Sequence, residues 1–448
     1  MLVRASKVLL LTVGLAAMQG CAAPVQPASA AADGDDGGAP AQDDAGDEPS
    51  VDAGPEAAPY PAIAPFAVQV PNAGGEVVGH ARVVPVFFPG QPDSAALTDF
   101  FTKYLGSSVW EQATTQYGVG AATAASAVQP TDALPSSMST DDLNAWLTSE
   151  LDGTHAVWGP TDPATVASSV YVLFVPPSTT LLAPGNDASD GYAPSLCGGR
   201  PWDPTGWHWQ TTPTSAPGTT GGAGPPIVYA VVGACPTPGV APLDGLTGTL
   251  SHELVEVTTD PLFLTAPAYW TVDQAHAFWV ELTGGGELAD LCVQEQTPFI
   301  RPPEIGYLVQ RTWSNAAASA GHAPCIPAIA AAYFDVQADA PDWLLDPYVG
   351  EVVKGVAIPA GQSRTIDVRL FSDAPTAAWQ VRAIDPSASQ GGPPLLDLSL
   401  DHGSGQNGDV LHLTIRPLFD EVGVTALYEL DSTQQGTTEA WYGEIVVK

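Results

Sequence analysis

Apolar positions fall into distinct regimes along the chain. Residues 8–18 are an apolar run preceded by Arg4 and Lys7. The run is too short for an ordinary transmembrane helix and reads as the core of an export signal spanning residues 1–20. Residues 21–65 show no apolar periodicity. They are rich in Ala, Asp, Gly and Pro and carry no Lys or Arg. Such a stretch cannot bury enough surface to order itself and reads as an acidic tether. From 66 to 328 the pattern alternates between strand-like runs and helical spacing. Residues 81–88, 166–175 and 227–232 predict buried strands, and 94–105 and 243–258 predict helices. Ser139 is placed to cap a helix running through Leu143, Trp146, Leu147 and Leu151. A Gly/Pro/Trp-rich loop over 177–225 predicts a functional segment, since structureless loops of that length are uncommon. Beyond 329 the pattern shortens to strand-like runs separated by turn residues, including 366–370, 379–383, 395–400, 410–415, 424–430 and 440–447. That spacing predicts an all-β, immunoglobulin-like sandwich over 329–448.

Composition narrows the function classes. The 448 residues include 13 Lys and Arg against 49 Asp and Glu, a formal charge of −36. This disfavours nucleic acid as a partner and docking on an anionic membrane through a basic surface. No second long apolar run follows the signal, so membrane contact is expected through the N-terminus alone.

Cys21 stands directly after the apolar run, in the order Leu15-Ala16-Ala17-Met18-Gln19-Gly20-Cys21. This resembles a bacterial lipoprotein signal, in which the Cys is lipidated. Met18 and Gln19 depart from that pattern, and a plain secretory signal is the alternative. Ala22 rather than Asp after the Cys implies outer-membrane sorting by the same resemblance. The other four cysteines, Cys197, Cys235, Cys292 and Cys325, are an even number in an exported chain and predict two disulfides. Local pairing favours Cys197–Cys235 and Cys292–Cys325. A thiolate zinc site is disfavoured by the absence of any C-x-x-C spacing.

The main chemical signal is Ser251-His252-Glu253-Leu254-Val255-Glu256-Val257-Thr258-Thr259-Asp260-Pro261. On a helix, His252 and Glu256 share one face a turn apart. H-E-x-x-H uses that geometry to hold zinc, with the intervening Glu as general base. Here Glu256 replaces the second His, and a carboxylate is a legitimate zinc ligand. Leu246, Leu250, Leu254 and Val257 form a separate apolar stripe, so His252 and Glu256 are expected to face another surface. Glu287 is the expected third ligand. It lies 31 residues after Glu256 (287 − 256), a spacing that resembles thermolysin-like proteases. Asp290 is the alternative ligand, or a partner that orients His252. His208, among Trp202, Trp207 and Trp209, and His276 are weaker candidates. The competing reading makes the acids a solvated helix face and His208 structural. No nucleophile elbow, P-loop or dinucleotide fingerprint is present, although a pair of acids for glycoside hydrolysis remains open.

SHELVEVTTDP, then Glu287-Leu288-Ala289-Asp290-Leu291-Cys292, then Tyr307 to Ala316 (YLVQRTWSNA), then Cys325, resembles a group of bacterial secreted proteins. That group is distantly similar to the plant phosphate-induced, or EXORDIUM-like, proteins. The resemblance implies a zincin-like α/β (α+β) domain and a metal site at His252, Glu253 and Glu256, with Glu287 and Asp290. The resulting expectation is an outer-membrane lipoprotein that hydrolyses peptide bonds. In that expectation zinc would be held by His252, Glu256 and Glu287, and Glu253 would activate the bound water. The alternative is a non-enzymatic envelope or adhesion lipoprotein with a degenerate metal site and a peptide or polysaccharide ligand.

Overall fold

The computed structural model describes residues 58–184, 194–200, 203–213, 224–330 and 332–448. The export signal, Cys21, most of the acidic tether and Trp202 lie outside the described residues.

A five-stranded sheet organises the first half. Its strands are β1 (Arg82–Phe87), β2 (Thr123–Ala124), β3 (Ser169–Val175), β4 (Gly206–Thr211) and β5 (Ile227–Gly233). Their spatial order is β2-β1-β3-β5-β4. All neighbours are parallel except β4, which pairs antiparallel with β5 at the edge. Every residue of β3 and β5 is buried, as expected of parallel strands covered on both faces. Side-chain alternation divides them cleanly. Val170, Val172 and Phe174 join Val228 and Val232 on one face, while Tyr171, Leu173 and Val175 join Tyr229 and Val231 on the other.

Helices cover both faces. α1 (Ser94–Tyr104) buries Leu97, Phe100, Phe101 and Tyr104. α2 (Thr140–Glu150) packs Leu143 and Leu147 on the opposite face and starts with the predicted cap. Ser139 Oγ accepts the Asp142 N–H at 3.1 Å, and Asp142 Oδ2 accepts the Ser139 N–H at 2.9 Å. α3 (Pro242–Thr259) lies on the α1 side, where Leu246, Leu250 and Leu254 join the core. Two details depart from the sequence reading. Val166 belongs to a short helix, Pro163–Ala167, rather than to β3, because Asp162 caps it and Pro163 opens it. The Trp-rich stretch expected as loop contains the edge strand β4.

The second half is a β-sandwich. Its strands are β6 (Phe334–Ala338), β7 (Asp342–Leu345), β8 (Val352–Ile358), β9 (Arg364–Ser372), β10 (Trp379–Ile384), β11 (Leu396–Leu400), β12 (Ser404–Gly405), β13 (Val410–Pro417), β14 (Thr425–Gln434) and β15 (Thr437–Val447). One sheet runs β6-β9-β13-β11 and the other β7-β8-β15-β14-β10-β12. The halves share one continuous core. At the junction the Trp279 ring meets Trp441 at 5.6 Å and Tyr442 at 4.9 Å. Pro59 and Ala62, at the end of the stretch read as tether, are hydrogen-bonded to Asn407 of the sandwich.

Both disulfides form as paired above, Cys197–Cys235 and Cys292–Cys325. They suit an oxidising, exported environment. Among the described residues, no helix is long and apolar enough to cross a membrane.

A candidate metal centre between helix α3 and edge strand β4

Strand alternation sets the first component. Trp207 packs into the core on the α2 side of the sheet, with Trp209 against it. His208 must then point to the opposite face, where α3 lies. Its side chain is 6% exposed, against Glu253 and Glu256 of the helix. His208 Nδ1 lies 3.9 Å from Glu253 Oε2 and 3.7 Å from Glu256 Oε2. The close approach requires Gly206. A Cβ there would come within 2.6 Å of Thr249 Cγ2 and 2.8 Å of the Val231 carbonyl oxygen.

Helix α3 is buried well beyond its Leu stripe. Glu253 and Glu256 are each 4% exposed. This overturns the reading of these acids as a solvated face, because β4 and the loops after the helix cover that side. His252 Nε2 lies 3.0 Å from Glu256 Oε2 and 3.7 Å from Asp290 Oδ1. Asp290 starts a short turn, Asp290–Cys292, held by the Cys292–Cys325 bridge. A side chain on Gly285 would collide with the Asp290 carboxylate.

The structure therefore sorts the sequence candidates into two overlapping groups. His208, Glu253 and Glu256 form one, and His252, Glu256 and Asp290 the other, with Glu256 shared. Glu287, expected beside His252, instead places Oε1 3.7 Å from His208 Nε2. His276 is remote from this chemistry. It is hydrogen-bonded to Asp273 at 2.9 Å and its ring packs near Trp441.

One contributor was given no role by the sequence reading. The Gln310 side-chain N–H donates to the Ala289 carbonyl at 2.7 Å, which leaves Gln310 Oε1 facing His252 Nδ1 at 3.1 Å. His252 thus donates from Nδ1 and turns Nε2 toward Glu256 and Asp290. Gln310 sits within YLVQRTWSNA, so the motif was visible while its contact was not.

The charge balance invites a cation. Glu253 Oε2, Glu256 Oε1, Glu287 Oε1 and His208 Nε2 are buried without hydrogen-bond partners. Burial disfavours charge on His252, but Glu256, Glu253 and Asp290 outweigh it and hold its pKa well above the usual range. Burial also opposes ionisation of Glu256, but His252 and His208 outweigh it and bring the carboxyl down to about 2. Burial, reinforced by Glu256 and Asp290, raises Glu253 and Glu287 well above the carboxylate range. Burial and Glu256 raise Asp290 to about 7. A lone pair on His252 Nε2 facing two carboxylates needs a proton or a metal ion between them. Either of the two groups, His208–Glu253–Glu256 or His252–Glu256–Asp290, could hold an ion. Their mixed imidazole and carboxylate donors suit a borderline divalent metal.

No family model matches the chain. No curated protein sequence matches it either. Among solved structures, the titin M4 domain aligns at 16% identity over 21% of this chain and 86% of its own, with a TM-score of 0.15. The titin M3 domain aligns at 18% identity over 21% of this chain and 88% of its own, also at 0.15. A Bacteroides ovatus GH5 xyloglucanase, solved with a XXXG heptasaccharide, aligns at 8% identity over 25% of this chain and 19% of its own, at 0.16. Similarity at that level carries no argument about this chain.

Proposed function

We propose that the protein is a zinc-dependent hydrolase of peptide bonds with a zincin-like α/β domain, carried on the bacterial envelope by a lipid on Cys21. The observation that carries this reading is the convergence of His252 Nε2, Glu256 Oε2 and Asp290 Oδ1, with His252 fixed in direction by Gln310. An HExxE helix beneath a sheet whose antiparallel edge strand faces it supports the zincin-like assignment. The resemblance to the EXORDIUM-like group belongs to the same proposal.

His252, Glu256 and Asp290 would hold the ion, with Glu287 set back on the His208 side. A bound zinc ion supplies Lewis acidity, polarising a carbonyl and acidifying water. Glu253 Oε2, buried and without a hydrogen-bond partner, takes the proton of the attacking water and delivers it to the leaving amine. His208, on the opposite wall, donates to the oxygen that gains charge, and Glu287 orients it.

Deep burial favours a second reading, a binding lipoprotein with a structural ion. His208, Glu253 and Glu256 are all nearly inaccessible. Metal analysis of the mature protein separates the readings. The hydrolase should carry one zinc per chain, lose it in His252→Ala, and keep it in Glu253→Gln while losing cleavage of a broad peptide library. Wild-type protein that stays metal-free after zinc incubation sinks both. Stoichiometric zinc without any cleavage selects the binding protein. Labelled fatty acid should enter the wild type but not Cys21→Ser, and equal labelling would remove the lipid anchor.

A further inference from the structure

A cavity of about 270 Å³ lies between the two halves, with none of the metal-centre side chains in its lining. Its walls bring Glu295 of the first half against Asp335, Glu429 and Glu439 of the sandwich. Asp335 and Glu439 are buried, at 3% and 7% exposure. Glu295 and Glu439 are close enough to share a hydrogen bond. Asp431 also lines the cavity but pairs with Arg382 at 3.1 Å. Among the described residues, no Lys or Arg comes within ion-pair distance of Glu295, Asp335, Glu429 or Glu439. The nearby buried Arg311 donates to the carbonyls of Pro327, Thr297 and Cys325, and its charge acts on Glu295 and Glu439 only from beyond hydrogen-bond distance.

The second observation is aromatic. Trp279 and Trp313 line the same cavity, at 5% and 4% exposure, and both indole N–H groups lack a partner. Trp441 and Tyr442 complete the ring walls. Asp335 accepts hydrogen bonds from the Tyr333 hydroxyl and the Val336 N–H, so what the acids lack is a cationic partner, and unfilled donors beside them call for an occupant carrying both a cation and an acceptor. The acids here are absent from the compact groups that could chelate an ion. Spread carboxylates with aromatic faces suit an organic cation, which gains from both charge and ring. The volume is below the ~300 Å³ typical of drug-sized ligands, which limits the occupant to a small molecule or a single side chain.

We infer that this interdomain cavity is a binding site for a primary alkylammonium group, of the kind carried by a lysine side chain or a free aliphatic amino alcohol. Glu295 and Glu439 hold the ammonium, Trp441 and Tyr442 cover its alkyl stem, and the Trp279 and Trp313 N–H groups donate to an acceptor at the other end. The site shares no side chain with the metal centre.

The full mature protein is titrated by calorimetry with 5-amino-1-pentanol, with Nα-acetyl-lysine methylamide, and with 1-pentanol as the neutral control. One-to-one binding of at least one amine in the millimolar range or tighter is expected, with none for the alcohol. Binding by only one amine identifies the source as a free amine or a lysine side chain. Glu439→Gln should weaken binding about tenfold or more. Glu295→Gln, on the less buried wall, should do the same and guards against misfolding of the first variant. His252→Ala should bind as the wild type does. Failure of both amines to bind, wild-type affinity in both Gln variants, or equal binding of 1-pentanol overturns the site.

Discussion

Gln310 ties three separate segments to one imidazole. Its backbone N–H donates to Ser251 Oγ at 2.8 Å, its side-chain N–H to the Ala289 carbonyl at 2.7 Å, and its Oε1 faces His252 at 3.1 Å. Replacing it with Ala frees the His252 ring and removes the link between helix α3 and the turn that carries Asp290. Loss of such an orienting partner typically weakens a metal site about 10–100-fold. Gln310→Ala should therefore show that drop in a chelator competition titration with zinc, with an unchanged far-ultraviolet spectrum. Equal affinity would strip Gln310 of the role. His252, Glu253 and Glu256 were legible in the sequence because helical spacing is local. Gln310 is 58 positions from His252, and no periodicity encodes so distant a contact. His208 was half legible. Alternation in Trp207-His208-Trp209 places the imidazole opposite the two indoles, but only once the stretch is known to be a strand.

The elements around the centre are held by two covalent staples, one on each side. Cys197–Cys235 joins the segments flanking β4 and β5, beside His208. Cys292–Cys325 fixes the turn that begins at Asp290, because Cys325 pairs in a short ladder with Trp313. The loops they close are 38 and 33 residues long, and each bridge should contribute about 3–4 kcal/mol in the chain-entropy picture. The paired change Cys292→Ser with Cys325→Ser should lower stability by about that amount in a urea titration. It should also weaken zinc binding, since Asp290 is two residues from the bridge. A stable double variant with undiminished zinc affinity would show that the Asp290 turn needs no staple. The pairing was readable because both bridges are local. The long buried strands were readable because Val and Ile runs have few other fates. β4 was hidden by its setting in Gly and Pro, and the β7–β8 hairpin by its mixed polarity. Both are fixed by tertiary pairing rather than by local preference.

At the scale of the whole molecule, the change from helical to strand-like spacing near 329 marked the second half, but nothing in the pattern announced that the two halves would share a core. Their junction carries unusual acidity for a buried surface. Glu444 on β15 is 1% exposed and both of its carboxylate oxygens lack partners. Burial, together with Asp346 and Glu281, raises its pKa from the ordinary 4.5 to about 8, against a small lowering by Thr425. Glu281, from the first half, rises to about 7 for the same reason, burial followed by Asp346. A carboxyl raised in the folded state keeps a proton that the unfolded chain has already lost. Stability from this source is complete below about 4.5, the unfolded value, and is lost as pH climbs through about 8. The −36 charge adds a general repulsion in the same direction. Glu444→Gln removes the specific part and leaves the general one. The variant should be more stable than the wild type at pH 8, by on the order of 4 kcal/mol, and the two should converge as pH falls toward 5. Thermal unfolding across that range measures the gap, and a constant offset between the two proteins at every pH would show that Glu444 is already ionised in its buried place.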